Sequence, residues 1–475
     1  MWASIAKTAT IHTLKIGAES ISKMFMDRLQ RVVESISDLR EVDSNKFKKV
    51  TVESYYGDGG DGGGNFVADE SDTVSEDNGG TVIVALDGMR WKRVITADHI
   101  NLKWFGAKGD NVTDDQSAIE KFIDVWIVGT LAGYVPRGIY RHTGRFLVNV
   151  ALNPSRIMPE LRGDGPYSSK FVSSSVVEPV YHIYGSAVGP DHFQGKISRI
   201  GFQADVTGVA ASIGLSDFSD NHGNYTIDQC YFGNGNTGGG ASAITLQLNW
   251  LFDCHFMNTV VVGRPMYGTA LQLRQVQFSK FDGGSYSNAD KGVQVSDGGT
   301  YNVSFDTVDI ENVRIGIYVD DVYAEYLRFV NPYIDIQNPG VGYPGGGYPF
   351  FVGDANIGGV TIEGARFGRL ESYVYDNGSS WGVPGAISPS TDYERLLLRG
   401  MYPGQQTPAL PASDIGEYNT TGQVQIVTVW GGTVTAIFLN AVEHPFTGGQ
   451  FVINPGDVIA VRYSVAPNWR WQAMP

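Results

Sequence analysis

Cysteine is scarce in this chain. Its 475 residues include two, Cys230 and Cys254, too few to frame a disulfide-stapled secreted domain. Long apolar runs are missing as well: no stretch approaches the ~18 residues that a membrane-spanning helix needs, so no membrane insertion is expected. The N-terminal MWASIAKTATIHTLKIGAES has no basic segment leading into an apolar run, and the sequence therefore predicts no export signal. Charge is thin, at 18 % of residues, and lopsided, with a formal net charge of −15. That balance argues against nucleic acid or an anionic membrane surface as partner. It admits a polyanionic ligand only at a local basic patch. No Gly-x-Ser-x-Gly, His-Glu-x-x-His or phosphate-binding loop occurs, which leaves esterase, zinc-protease and NTPase readings without support. Nothing in the chain demands a metal or a cofactor.

What is plentiful is glycine, 60 residues, together with 24 Tyr, 23 Phe and 9 Trp. Turn-forming glycine beside aromatics suits an all-β fold, and 42 % apolar residues suffice for a large core. Four regions follow from the pattern. Residues 1–47 read as a helical stem: Phe25, Leu29, Val32, Ile36 and Leu39 are spaced 4, 3, 4 and 3, with Ile21 one step before, the spacing of a short coiled-coil seam. Such a seam either packs on its own domain or serves oligomerisation. Residues 48–100 read as a small β collar, with a tight turn at Asn78-Gly79-Gly80 and strands over 81–85 and 91–94. The Gly/Asp run at 57–64 lacks the ligand spacing and closing Glu of a calcium loop and reads as a flexible loop.

Residues 101–400 form the third region. In WFGAKGDNVTDDQSAIEKF (104–122), Thr113-x-x-Gln116 fits a capping box, and Asp114 and Asp115 sit where a helix dipole favours negative charge. Ile119, Phe122, Ile123 and Trp126 give one apolar face, so the spacing predicts a helix over 114–127 that covers an exposed end of a β core. After a Pro-rich stretch at 400–418 that reads as a linker, residues 401–475 alternate strands and turns, as in a small β-sandwich for trimerisation or carbohydrate binding. There Trp469 and Trp471 are core residues, a sugar platform or a trimer-locking surface.

Three motifs carry a resemblance. FGAKGDNVTDDQSAI (105–119), GYVPRGIY (133–140) and LRGDGP (161–166) resemble, in order and spacing, the opening of pectate-lyase-like right-handed parallel β-helices, a superfamily that includes polygalacturonases and bacteriophage tailspike depolymerases. The preceding TVIVALDGMRWKRV resembles a tailspike collar. The resemblance implies a right-handed parallel β-helix and a homotrimer in the phage virion, made in the bacterial cytoplasm. It also implies attachment through the N-terminus to tail or baseplate proteins, and a bacterial surface polysaccharide as ligand. Arg162-Gly163-Asp164 belongs to a turn of the first rungs. The Asn-x-Asp and Gly-His-Gly elements of polygalacturonases are absent, so pectin is not the expected substrate.

An independent repeat supports coils. Inward residues at 202, 232, 256, 286, 310, 334 and 367 are separated by 30, 24, 30, 24, 24 and 33 positions, a base period of 24 with insertions. Cys230 and Cys254, also 24 apart, are expected to stack inside as free thiols. Because strand neighbours face opposite sides, the register predicts one exposed column of Gly201, Tyr231, His255, Ser285, Asp309, Tyr333 and Arg366. A second column holds Gln203, Gly233, Met257, Ser287, Glu311, Asp335 and Gly368.

Asp309, Glu311 and Asp335 then share a patch, flanked by His255, Tyr231 and Tyr333, with Asp253 on the same face. Close carboxylates raise at least one pKa, and a pair of differently tuned carboxyls is what glycoside hydrolysis uses. The expected catalytic set is Asp309, Glu311, Asp335 and His255, with Tyr231, Tyr333, Asp253 and Arg366 binding sugar. The alternatives are a polysaccharide lyase, with His255 or Tyr333 as base and Arg366 or Arg274 neutralising a uronate, and a non-catalytic receptor-binding fibre. Asp282, Asp306, Asp320, Asp321, Glu325 and Glu363 are placed less well.

Overall fold

The computed structural model describes residues 30–185, 192–235, 243–264, 267–320, 324–336, 348–352, 360–367, 374–376, 396–399, 408–419, 424–454 and 456–473. The collar is a five-stranded sheet of Gln30–Val33, Lys49–Ser54, Gly62–Asp69, Val82–Val84 and Arg90–Arg93. Its core gathers Val50, Val52, Phe66, Ile83 and Trp91 around a short helix, Ile36–Arg40. This corrects the helix expected over 20–40. Gln30–Val33 is a strand paired parallel to Lys49–Val52, and Ser35 caps the short helix in a capping box with Asp38. Ile36 and Leu39, two members of the supposed seam, are buried in the collar, while Val32 points to solvent. The rest of the seam, including Phe25 and Leu29, lies outside the described residues. The Asn78 turn forms as expected, its side-chain oxygen accepting from the amides of Gly80, Thr81 and Val82.

The helix at the mouth is Gln116–Val128, and its buried Ile119, Phe122, Ile123 and Trp126 join the main core. Its capping differs from the expected box. Residues Asp110–Asp114 form a strand, Thr113 bonds Asp110, and the N-cap is Asp115, whose carboxylate accepts from the amides of Lys108 and Gly109 at 2.7 and 2.9 Å. The buried acid thus folds the glycine-rich loop back onto the helix start, satisfying two amides that the end of the core would otherwise strand.

Beyond the cap, parallel strands wind into coils, the right-handed crossover being the rule for such connections. A twelve-stranded sheet supplies one face, through strands such as Asn221–Asp228, His255–Met257, Lys280–Asp282, Ser304–Asp306 and Arg328–Val330. An eighteen-stranded sheet supplies the rest and bends within each coil at left-handed residues such as Asn288 and Asn312, with φ of 54° and 56°. The second face is consequently narrow, as in Ser285–Ser287, and the third is longer, as in Ala289–Ser296. First and second faces meet at another left-handed corner repeated up the stack: Arg199, Gln229, Asn258, Gly283, Thr307, Asn331 and Gly364 have φ between 48° and 63°. Inside the first face Phe256, Phe281, Phe305 and Phe329 stack with ring centroids 4.6, 4.4 and 4.6 Å apart, the coil spacing itself.

Cys230 and Cys254 are both buried and free, yet they do not stack on each other. Cys230 precedes a strand of the second face and shares its column with Thr259, through Val260 N to Cys230 O. Cys254 precedes a strand of the first face, one coil below Ser279. The C-terminal part contains a four-stranded and a three-stranded antiparallel sheet packed through Val427, Ile437, Phe451, Ile459, Trp469 and Trp471. The two tryptophans are therefore core residues. Within the supposed linker, Gly416–Tyr418 is a strand paired with Val458–Ala460.

A carboxylate cluster on the narrow face

The register of the second face is explicit. Gly201 aligns with Tyr231, Tyr231 with Val260, Val260 with Ser285, Ser285 with Asp309, Asp309 with Tyr333, and Tyr333 with Arg366. The inward column is Phe202, Phe232, Val261, Tyr286, Ile310 and Ile334. The sequence reading placed Phe256 here, and that is corrected. Phe256 belongs to the first face, where it aligns with Ile227 and Phe281. Each coil offers an inward aromatic on both faces, so a periodicity argument alone can change faces without losing the period.

The correction moves His255 and Asp253 away from the cluster. His255 is on the first face, its Nε2 2.5 Å from Asp282 Oδ2, and Lys280 Nζ holds the other oxygen of Asp282 at 2.8 Å. Asp253 lies at an exposed left-handed corner, φ 52°. Tyr231 stays on the narrow face but three coils from Asp309, ~14 Å at the usual coil spacing. Arg274 belongs to the third face, bonded to Asn249 and Asp297.

Asp309, Glu311 and Asp335 do come together. Asp309 and Glu311 point the same way from one strand, and Glu311 aligns with Asp335 on the next coil. Glu311 is exposed and Asp335 half-buried. Asp309 is the unusual member: its Oδ1 is buried and has no hydrogen-bond partner among the described residues. Burial first, then the charges of Glu311 and Asp335, push its carboxyl up to about 6. Tyr333, 41 % exposed, stands directly above Asp309 in register and Arg366, also exposed, above Tyr333. The narrow face thus sets a half-buried carboxyl, pushed up to about 6, beside two more acids and an exposed aromatic ring. Among the described residues no group of three or more His, Cys, Asp or Glu is placed to hold a metal ion.

Comparison with known proteins follows the same division of the chain. Residues 32–96 match the phage tail protein small four-stranded beta-sheet domain. A stretch of 110 residues is 32 % identical to the Mu-like prophage FluMu defective tail fiber protein of Haemophilus influenzae; it is 23 % of this chain and spans 17 % of that relative's length. Among solved structures, the enzymatically active domain of bacteriophage CBA120 tailspike protein 4 superposes with a TM-score of 0.50 at 14 % identity, over 93 % of this chain and 77 % of that one. The corresponding domain of tailspike protein 2 from the same phage gives 0.47 at 14 % identity, over 98 % and 83 %. Residues 32–96 thus match a phage tail β-sheet domain, and the coils that follow have a parallel β-helix fold similar to that of the tailspike protein 4 domain.

Proposed function

We propose that this chain is a homotrimeric phage tailspike that binds a bacterial surface polysaccharide and hydrolyses it, with Asp309 as general acid and Glu311 or Asp335 as the second carboxylate. The observation that carries the reading is the half-buried Asp309 carboxyl, one oxygen buried without a partner among the described residues, pushed up to about 6 beside two other acids. A carboxyl that holds its proton up to about pH 6 can protonate the glycosidic oxygen as the bond breaks. The second carboxylate attacks the sugar or activates water. Tyr333 offers a ring for the sugar face beside the bond being cut. The collar fits attachment to the tail, since its residues match a phage tail domain.

The test is mass spectrometry of products from a panel of purified capsules and exopolysaccharides. Fragments carrying one added water support hydrolysis. Unsaturated fragments that absorb in the ultraviolet mean a lyase instead, for which Tyr333 and Arg366, adjacent in register, are the available base and uronate partner. Polymer that is bound but left intact means a binding fibre.

A further inference from the structure

Lower on the narrow face, a second set of groups is built around the loop that follows the LRGDGP motif. Residues 164–168 make a tight turn, with the amides of Ser168 and Ser169 donating to Gly165 O at 2.9 and 2.8 Å. Asp164 anchors it, accepting from Tyr134 OH at 3.0 Å and from the Arg137 amide at 2.9 Å. The loop lies flat on the coil because residue 201 is glycine: a Cβ there would come within 2.1 Å of the Pro166 carbonyl. Tyr167, 65 % exposed, is thereby brought against Tyr231, ring centroids 5.3 Å apart. The Tyr231 ring extends along the narrow face over Gly233, where a Cβ would meet its hydroxyl at 2.4 Å. Lys170 reaches across Gly201 to place its ammonium 4.8 Å from the centre of the Tyr231 ring. That ammonium hydrogen-bonds the Gln203 amide oxygen, and burial lowers its pKa while the nearby Asp205 carboxylate works to keep it charged. Arg199, also exposed, donates to the Asp164 carbonyl at the other edge of the loop.

From Tyr231 the same column runs through Val260 and Ser285 to Asp309. Those two half-buried positions span the ~14 Å between Tyr231 and Asp309 at the usual coil spacing. We propose that Tyr167, Tyr231 and Lys170 form a distal subsite for an acidic sugar of a polymer lying along the coil axis, its carboxylate on Lys170 and its ring on the tyrosines. On a chain of net charge −15, this is the local basic patch that an anionic polymer requires. A cation and an aromatic platform on one face select an acidic sugar over a neutral one. The subsite rests on the reading of the narrow face as a polysaccharide groove.

Binding and cutting are separated by using the full-length Asp309→Asn chain on an array of purified acidic and neutral capsular polysaccharides. The expected result is retention of acidic polymers, weakened about tenfold or more by adding either Lys170→Met or Tyr167→Ala. Carboxyl reduction of the retained polymer is expected to weaken binding by the Asp309→Asn chain and to have no effect once Lys170 is Met. Circular dichroism checks that each variant is folded. Retention of neutral polymers alone, no retention at all, or binding indifferent to both substitutions overturns the subsite. Cleavage by the unsubstituted chain is measured in parallel. Lysine-dependent binding without cleavage sinks the hydrolase and keeps the subsite, whereas cleavage with lysine-independent binding does the reverse.

Discussion

Burial that raises the Asp309 carboxyl to about 6 acts in opposite directions on activity and on stability. As a general acid it must be protonated, so kcat/KM is expected to fall about tenfold per pH unit above pH 6. Asp309→Asn removes that proton and should lower cleavage at least ~100-fold, read as product release from the cleaved polymer. For stability the sign reverses. Near pH 4 and below, folded and unfolded chains both hold the proton. Between about 4 and 6 the unfolded chain loses it while the folded chain keeps it, so stability declines as pH rises and the full penalty stands above 6. Asp309→Asn should therefore melt higher than the unsubstituted chain at pH 8, by on the order of 1–2 °C, with the gap closing toward pH 4. A variant that melted lower at pH 8 would contradict the burial. His255 is expected to behave otherwise. Its Nε2 is engaged by Asp282 on the first face, and His255→Gln should leave cleavage within about threefold in the same assay.

At the scale of elements, the coils are held by repeated corners and ladders. Thr307, φ 54°, is a β-branched residue in the left-handed region, where Gly283 and Gly364 occupy the equivalent corner one coil below and two coils above. That conformation costs a β-branched side chain ~1–2 kcal/mol. Thr307→Gly should raise the melting temperature by about 1–2 °C despite the extra freedom of unfolded glycine. An unchanged or lower value would mean that the Thr side chain contributes more than the strain takes. Phe305 lies in the aromatic ladder between Phe281 and Phe329 with no exposed surface. Phe305→Ala should cost ~3–5 kcal/mol, seen as a large drop in melting temperature. The coil repeat was legible because an inward aromatic or branched residue recurs at 232, 286, 310 and 334. Asp309, Glu311 and Asp335 were legible for the same reason, since two consecutive coils of 24 residues without insertion align Asp309 with Tyr333. His255 was misplaced because Phe256 and Val261 each occupy an inward position in the same coil, five residues apart on different faces, and the aromatic attracted the assignment. The contact of Tyr167 with Tyr231 went unread because a turn brings residues together by folding back, which no strand periodicity encodes. Likewise Gln30–Val33 has helix-compatible spacing, and its strand form depends on pairing with Lys49–Val52, a partner that local pattern does not name.

For the whole molecule, apolar surface available for assembly lies on the C-terminal domain and not at Ile36 and Leu39 of the N-terminal seam. Ile36 and Leu39 spend their apolar surface inside the collar, so they contribute no seam to an oligomer. The C-terminal sheets, like the collar at Val32, Val74 and Leu86, leave apolar side chains in water: Trp430, Phe446, Val452 and Val465 are 48 %, 63 %, 54 % and 58 % exposed. Within the three-stranded sheet, Ile426 and Val452 align on the face turned away from the core residues Val427 and Phe451. Apolar surface gathered on one domain favours association by removal from water. Light scattering of the intact chain is expected to give about three times 51.6 kDa. Replacing Trp430 and Val452 together by Glu should shift the population toward the single-chain mass without unfolding, because both side chains lie outside the sandwich core and the charges act only where copies meet. Far-ultraviolet circular dichroism that stayed unchanged while the mass fell would place the contact on this domain. An unsubstituted chain that ran at 51.6 kDa would refute association, and a substituted chain that kept the full mass would move the contact to another surface.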